Sequence, residues 1–334
     1  MKQTCVDLSK KGHDYYYGSY SHFHIHEEML KDTVRTRAYQ RAIEENPNDF
    51  KDKIVLDIGC GTGILSIFAV RAGAKHVYAV ENAEIALFAE EIIKRNGLSD
   101  KITIIKGKME EVKLPVDHVD IIISEWMGYF LLYESMLDAV IWARDKYLVP
   151  GGKILPDKCT MYVAALEDAE YKGMKRTFWN DVYGVDMSCL TPTVMREPLV
   201  DSVGSNMVMS NSCKILTLDL CTMKPNDVEF SSEYVLRCNY DDKVHAMLGY
   251  WEAEFSNLEH PVMLSTSPFK KSTHWKQTVF YLEHDLQVTK GDVISGSVCS
   301  RRSTTNFREL DIKISYHINT DSVKRDFVNM YKLR

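Results

Sequence analysis

The sequence predicts an α/β protein in which a doubly wound, parallel-sheet domain precedes a second domain made of β-strands. In the first 156 residues, short apolar runs alternate with helical stretches, and the first run leads into a glycine-rich turn. Beyond Pro156 the chain changes to short alternating runs with few helix signals, which is typical of a β-sandwich or barrel. With 334 residues, 45% of them hydrophobic and 26% charged, the chain is long enough for two hydrophobic cores.

Charge and composition argue against several classes of protein. A formal net charge of −6 does not suit direct nucleic-acid binding and instead favours basic substrates. No run approaches the roughly 18 apolar residues of a membrane span, and the N-terminus lacks an apolar signal core, so we expect no membrane partner and a location in the nucleus and cytoplasm. The eight cysteines include no CxxC pair, which predicts reduced thiols and no metal site.

The first regular segment is predicted to be one helix over residues 22–45. This stretch has no proline or glycine, its apolar and threonine side chains recur at helical steps, and Pro47 closes it. On such a helix Met29, Asp32 and Arg35 follow at three-residue spacing, which brings a thioether, a carboxylate and a guanidinium near one another. A surface salt bridge at Asp32 is the alternative interpretation.

The most specific short motif is a strand, a glycine turn and a helix between residues 53 and 71. The strand ends at Asp57, and Gly59, Gly61 and Gly63 form the pattern GxGxG. A dinucleotide needs its pyrophosphate at the helix N-terminus, whereas this tighter turn suits a ligand without phosphates, such as S-adenosylmethionine. Glycines that serve only a tight turn are the alternative.

The next two strands end in residues suited to the same ligand. Glu81 lies 22 residues after Gly59, where a carboxylate can bind the two ribose hydroxyls of an adenosine. Met109 and Glu110 follow the third strand and are expected to flank the adenine, with Glu110 accepting from its exocyclic amine. A solvated loop glutamate is the alternative for Glu110.

A loop that opens and closes with a glutamate follows the fourth strand. Its sequence, SEWMGYFLLYES, spans residues 124–135 and holds Glu125 and Glu134 nine positions apart. The two carboxylates can converge only if the chain reverses at Gly128. Converging carboxylates would receive a planar cation such as a guanidinium, whereas two solvated loop-end charges are the alternative.

Two further segments of the β domain have distinctive compositions. Residues 166–200 carry aromatic and apolar side chains at helical spacings. Such a segment usually belongs to a hydrophobic core, but as an insertion in a β domain it is consistent with an arm that docks onto a second copy of the chain. The loop over residues 272–277 places His274 beside Trp275, and a lone histidine of this kind is more often structural than catalytic.

Together these motifs resemble those of the protein arginine N-methyltransferases of type I. The segments SYSHFHIHEEMLKDTVRT, VLDIGCGTG, SEWMGYFLLYESM and THW carry the resemblance, which extends over nearly the whole chain from Tyr16. It implies a Rossmann-like class I methyltransferase domain at 22–156, preceded by a cofactor-closing segment at 1–21. A β-barrel domain at 157–334 would follow, with an inserted helical dimerisation arm at about 167–203. The resemblance further implies a homodimer or a higher oligomer, with S-adenosyl-L-methionine as cofactor.

The resemblance also assigns roles to single residues. Glu125 and Glu134 match the pair that grips the substrate guanidinium, and Arg35 matches the arginine that contacts the cofactor's methionine carboxylate. Combined with the motifs above, the expected cofactor-binding residues are His26, Arg35, Asp57, Gly59, Gly61, Gly63, Glu81, Met109 and Glu110. The expected catalytic residues are Glu125, Glu134, His274 and Asp32. The expected substrate-binding residues are Tyr20, Met29, Met136 and Trp275. Gly18, His24 and Trp251 depart from the family's usual residues.

The implied activity is methylation of protein arginine, giving mono- and asymmetric dimethylarginine in glycine-arginine-rich RNA-binding proteins and histones. Donor and acceptor are both cations, so carboxylates are needed to offset their repulsion. Either Glu134 or a relay of His274 and Asp32 could accept the proton. A methyltransferase for small molecules or nucleic acids would more naturally carry an NPPY-type loop at residues 124–127. A catalytically silent binding module would need neither Glu81 nor the paired glutamates.

Overall fold

The computed structural model describes residues 20–320 and 323–334, which fall into two compact units. Of the described residues, the first unit holds those up to Trp126 together with Asp138–Asp157 and Phe255–Val262. The second holds Met127–Leu137, Lys158–Glu254 and Met263–Arg334. The predicted cofactor-closing segment lies outside the described residues, apart from positions 20 and 21.

The first unit is built on a five-stranded parallel sheet with the order β3-β2-β1-β4-β5. The strands are Ile54–Ile58 (β1), His76–Glu81 (β2), Ile102–Lys106 (β3), Val119–Ser124 (β4) and Leu148–Leu155 (β5). The strand order reverses between β1 and β4, and open α/β sheets bind their ligands where the carboxyl ends of such a pair diverge. The doubly wound fold is therefore confirmed, and β1 and β4 carry the two motifs singled out above.

Helices connect and flank these strands. They are Phe23–Lys31 (α1), Thr33–Glu44 (α2), Pro47–Phe50 (α3), Ile64–Arg71 (α4), Ile85–Arg95 (α5) and Leu137–Tyr147 (α6). Helix α4 packs on β1, β2 and β3, and its residues are mostly buried because its sequence is apolar on nearly every side. No helix in the described part of the chain is long and apolar enough to cross a membrane.

The prediction of one continuous helix over residues 22–45 was wrong, because the chain forms α1 and α2 with a break at Asp32. The Asp32 backbone is extended, at φ −66° and ψ 92°, and its carboxylate accepts hydrogen bonds of 3.0 Å from the N–H groups of Val34 and Arg35. An aspartate side chain competes for backbone donors in this way, so it starts a helix more readily than it continues one. Asp32 is thus an N-cap, and Pro47 begins the next one-turn helix.

The second unit contains two antiparallel sheets, as the alternating runs predicted. One sheet has the order β7-β12-β10-β6-β8, with β11 paired to β10, and the other has the order β15-β14-β13-β9. The strands are Lys158–Leu166 (β6), Leu199–Asp201 (β7), Cys213–Asp219 (β8), Phe230–Arg237 (β9), Asp242–Phe255 (β10), Val262–Ser265 (β11), Gln277–Val288 (β12), Val293–Arg302 (β13), Leu310–Thr320 (β14) and Val323–Leu333 (β15). Strands β8 and β9 join the two sheets by direct contact.

The predicted arm leaves the sheet after β6 and returns at β7. It contains Ala169–Thr177 (α7) and Thr191–Val194 (α8), and between them Phe178 and Tyr183 expose their rings. The root of the arm is anchored, because the Asp168 carboxylate caps α7 at Tyr171 N–H and accepts a 2.5 Å hydrogen bond from the Tyr281 hydroxyl. The arm therefore combines a fixed base with an exposed apolar surface.

Candidate active site

The glycine turn after β1 has the backbone conformation that its sequence requires. Gly59, Gly61 and Gly63 have φ angles of +70°, +54° and +82°, in the left-handed region that side chains disfavour. A Cβ on Gly61 would also lie 3.3 Å from Nδ1 of His26, so a side chain there would crowd the imidazole. Gly63 precedes the first residue of α4. The turn at the carboxyl end of β1, the glycine cradle, therefore requires glycine at these positions.

Glu81 lies against this turn. Its Oε2 accepts a 2.9 Å hydrogen bond from Gly61 N–H, and its Oε1 accepts one of 2.8 Å from Ala83 N–H. The residue is only 8% exposed, and this burial raises the pKa of its carboxyl. The structure thus brings the predicted ribose-binding carboxylate and the glycine turn together.

Asp57 is fully buried at the end of β1. Its Oδ2 accepts a 2.7 Å hydrogen bond from the Ser66 hydroxyl, while its Oδ1 has no hydrogen-bond partner among the described residues. Burial raises the pKa of Asp57 to about 7, and the Ser66 hydrogen bond opposes that rise. A buried oxygen without a partner beside the glycine cradle leaves an acceptor for a polar ligand. The glycine cradle and Asp57 therefore fit S-adenosylmethionine.

Ser66 is a contributor that the sequence reasoning missed. It lies in the first turn of α4, within the apolar stretch ILSIFAVR, and is completely buried. A buried serine must form a hydrogen bond with another buried group. A serine within an apolar stretch was therefore the sequence signal that could have identified this residue. Ser66 holds Asp57 at the edge of the sheet.

Glu125 forms a buried ion pair with Arg35. The Arg35 Nε lies 3.0 Å from Glu125 Oε2, and the two side chains are 8% and 7% exposed. Arg35 also donates from Nη1 to the Met29 carbonyl at 3.4 Å. This burial excludes the interpretation of Glu125 as a solvated loop-end charge. It also shows that this carboxylate accepts a guanidinium within the protein itself.

The backbone just before Glu125 is fixed on both sides. The Ser124 hydroxyl donates to the Ile58 carbonyl at 2.8 Å, and the Tyr39 hydroxyl donates to the Ser124 carbonyl at 2.9 Å. All these groups are buried, so the hydrogen bonds are shielded from water. The end of β4 therefore presents Glu125 from a rigid base.

The predicted chain reversal at Gly128 is confirmed. Gly128 N–H donates to the Leu131 carbonyl at 2.8 Å, and Tyr133 N–H donates to the Tyr129 carbonyl at 3.0 Å. A Cβ on Gly128 would lie only 1.5 Å from the Tyr133 carbonyl oxygen, so the turn requires glycine. Gly128 is thus the residue that lets the loop close on itself.

Three residues of this loop adopt the left-handed conformation although none of them is glycine. Phe130, Leu131 and Glu134 have φ angles of +46°, +60° and +53°. Such conformations cost on the order of 1–3 kcal/mol each and persist only where surrounding contacts enforce them. Backbone strain of this kind concentrates at functional sites, which supports a functional role for the loop.

The contacts that enforce this geometry come from the β domain. The Trp275 indole N–H donates to the Met127 carbonyl at 3.0 Å, and Phe130 packs on Phe280 with ring centroids 5.1 Å apart. Trp275 is 3% exposed, so in the described structure it supports the loop, and its contact with substrate stays a prediction. Glu134 N–H donates to the Arg308 carbonyl at 2.8 Å.

Glu134 is half-buried, and burial raises the pKa of its carboxyl. The Arg308 charge and a hydrogen bond from the Tyr133 hydroxyl act in the opposite direction, while Glu309 raises the pKa further. Glu125 belongs to the first unit and Glu134 to the second, so their convergence on one guanidinium stays a prediction.

The other candidates divide between the two units. His26 is buried beside the glycine turn, with Nε2 at 2.7 Å from the Tyr20 carbonyl. Met109 is buried, whereas Glu110 is exposed and Met136 is half-buried.

The predicted relay of Asp32 and His274 joins residues of different units, since Asp32 caps α2 in the first and His274 contacts the Trp275 ring in the second. That relay stays a prediction. Within the described ranges, no group of three or more His, Cys, Asp or Glu residues is arranged to hold a metal ion.

The first unit has the features of a class I methyltransferase domain. These are the doubly wound sheet, the glycine cradle, a glutamate at the end of a strand and an aspartate oxygen without a hydrogen-bond partner. Residues 36–154 match the family described as ribosomal protein L11 methyltransferase (PrmA). Residues 157–322 match the arginine methyltransferase oligomerization subdomain.

Full-length relatives extend this classification. Protein arginine N-methyltransferase 1 of Schizosaccharomyces pombe is 55% identical over 97% of this chain and 95% of its own. The Chlamydomonas reinhardtii enzyme of the same name is 53% identical, with coverages of 96% and 93%. A solved Trypanosoma brucei PRMT1 enzyme-prozyme heterotetrameric complex with AdoHcy superposes with a TM-score of 0.92 at 42% identity, covering 95% of this chain and 100% of that one. The chain therefore belongs to the protein arginine N-methyltransferases.

Proposed function

We propose that this chain transfers methyl groups from S-adenosylmethionine to arginine side chains of proteins, as a type I enzyme that forms mono- and asymmetric dimethylarginine. The observation that carries the proposal is the buried pairing of Glu125 with the Arg35 guanidinium, directly after the strand at the topological switch point. The Trypanosoma brucei relative was solved with AdoHcy, the demethylated form of the donor, which supports the same cofactor here.

The first unit supplies the groups that would hold the cofactor. The glycine turn gives close approach to the backbone, Glu81 offers a carboxylate to ribose hydroxyls, and Asp57 offers its unpartnered oxygen. When bound, S-adenosylmethionine supplies a methyl group on a positively charged sulfur. The choice of this cofactor over a dinucleotide rests on the tighter GxGxG turn, which suits a ligand without phosphates.

The loop glutamates act on the substrate guanidinium. This guanidinium is a cation with a pKa above about 12, so carboxylates both offset its charge and orient one terminal nitrogen through paired N–H···O bonds. Burial raises the pKa of Glu134, which makes it a better proton acceptor than a solvated carboxylate. Glu125 already forms an ion pair with Arg35. We therefore assign the leaving proton to Glu134.

Basic, arginine-rich proteins are the proposed substrates, in particular glycine-arginine-rich RNA-binding proteins and histones. The net charge of −6 favours their approach through long-range attraction. A nuclear and cytoplasmic location is proposed together with these substrates.

Incubation with labelled S-adenosylmethionine tests this function. A glycine-arginine-rich peptide should take up label, while the same peptide with every arginine replaced by lysine should not. Mass spectrometry of the product should identify asymmetric dimethylarginine. Label in the lysine peptide, or in neither peptide, would contradict the proposed function, and a symmetric product would contradict the type I assignment.

We also propose that the arm forms a homodimer. Sedimentation at micromolar concentration should show a dimer, and Phe178→Glu combined with Tyr183→Glu should convert it to a monomer, because both exposed rings would be replaced by charges. Val235→Glu is the matched control, since Val235 is similarly exposed but lies on β9. A monomeric wild type, or a dimer that the double substitution does not affect, would contradict the proposed role of the arm in dimerisation.

A further inference from the structure

The turn between β13 and β14 contacts both sides of Glu134. Glu134 N–H donates to the main-chain carbonyl of Arg308 at 2.8 Å, and Arg308 Nη1 donates to the Ser135 carbonyl at 3.1 Å. Arg308 is 6% exposed. Because these hydrogen bonds flank Glu134 on its N-terminal and C-terminal sides, they act on the residue whose φ is +53°.

The turn is itself closed by local hydrogen bonds. Ser303 N–H donates to the Glu309 carbonyl at 2.9 Å, and Glu309 N–H donates to the Asn306 carbonyl at 3.0 Å. The Asn306 amide also reaches Glu309 Oε1 at 3.0 Å, and Arg334 Nε lies 3.0 Å from Glu309 Oε2. The turn that carries Arg308 is therefore stabilised by hydrogen bonds that do not involve Glu134.

Charged and polar groups that face the Glu134 carboxylate act on it with opposite signs. The Arg308 guanidinium and the Tyr133 hydroxyl lower its pKa, whereas Glu309 and burial raise it. Arg308 and Glu309 are adjacent in sequence, so one short turn carries charges with opposing effects on the same carboxylate.

We propose that Arg308 is the positioning residue for Glu134, because its carbonyl and guanidinium hold the left-handed backbone and its charge compensates that of the half-buried carboxylate. This inference rests on the role proposed above for Glu134 in binding the guanidinium and accepting its proton. A neutral Glu134 could do neither, so activity should fall as pH drops through the pKa of this group.

The test is the pH profile of kcat/KM for peptide methylation at saturating S-adenosylmethionine. Removing a neighbouring cation makes a carboxylate harder to ionise, so Arg308→Gln should move the acid limb to higher pH by roughly one pH unit. Arg308→Lys keeps the positive charge, so its acid limb should lie close to that of wild type. Glu309→Gln removes a neighbouring anion and should move the acid limb to lower pH.

Shifts of opposite sign from two adjacent residues are not expected of a purely structural role, which would lower the rate without moving the limb. Unchanged limbs, or limbs that move in the same direction, would overturn the inference. If Arg308→Gln fails to fold, Arg308→Lys and Glu309→Gln test the inference in its place. An acid limb that does not move in Glu309→Gln would also contradict the positioning role of Arg308.

Glu134→Gln separates the two proposals. Full turnover in that variant would contradict the role proposed for Glu134 itself. If Glu134→Gln loses turnover but the acid limbs of Arg308→Gln and Glu309→Gln do not move, only the role of Arg308 is contradicted.

Discussion

Glu134→Gln is expected to lower the rate of arginine methylation at least about a hundredfold while S-adenosylmethionine binding is largely retained. Glutamine keeps the shape of the side chain but removes the charge that offsets the substrate cation and the site that accepts its proton. Turnover with a glycine-arginine-rich peptide and calorimetric titration with the cofactor measure the two quantities separately.

Glu233→Gln is the matched control for this change. Glu233 lies exposed on β9 in the same unit, so its loss of charge should leave turnover within about twofold of wild type. Near-normal methylation by Glu134→Gln would refute the assigned role.

Glu125→Gln should lower methylation by a similar factor, but for a less simple reason. The buried Arg35 guanidinium would lose its charged partner, and breaking such a pair is costly, on the order of 3–5 kcal/mol where burial is complete. Because Arg35 is also a predicted cofactor contact, this variant is expected to weaken cofactor binding as well. Glu134→Gln is therefore the cleaner test of catalysis.

Gly128→Ala is expected to reduce turnover by about a hundredfold or more and to lower stability by about 1–3 kcal/mol. The added Cβ would lie 1.5 Å from the Tyr133 carbonyl oxygen, a distance that only a shift of the backbone can relieve. That shift would displace Glu134, which immediately follows Tyr133. Steady-state kinetics and denaturant unfolding would measure the two effects.

Gly173→Ala provides the comparison for Gly128→Ala. Gly173 lies within α7, and a Cβ there would meet nothing within 4 Å, so this substitution should leave both turnover and stability close to wild type or slightly raise stability. Wild-type turnover in Gly128→Ala would mean that the loop tolerates a different path and that the reversal is not required.

Several parts of this structure could be predicted because their signals are local. Alternating apolar runs and helical stretches identified the parallel sheet, and the GxGxG spacing located the turn at Gly59 to Gly63. The need for a reversal between two glutamates pointed to Gly128. Where local signals competed, the prediction failed, because helical periodicity concealed the capping preference of Asp32.

The sequence by itself determined the order of strands and helices, the glycine positions and the identity of the acidic residues, since each depends on neighbours along the chain. Only the tertiary structure decided how those residues are supported. Asp57 is held by Ser66, Glu125 by Arg35 and Glu134 by Arg308, whose guanidinium bonds a carbonyl 173 positions away. No periodicity or motif records such contacts, because they arise when distant segments pack together. The same packing imposes the positive φ of Glu134, a conformation that a glutamate does not favour alone.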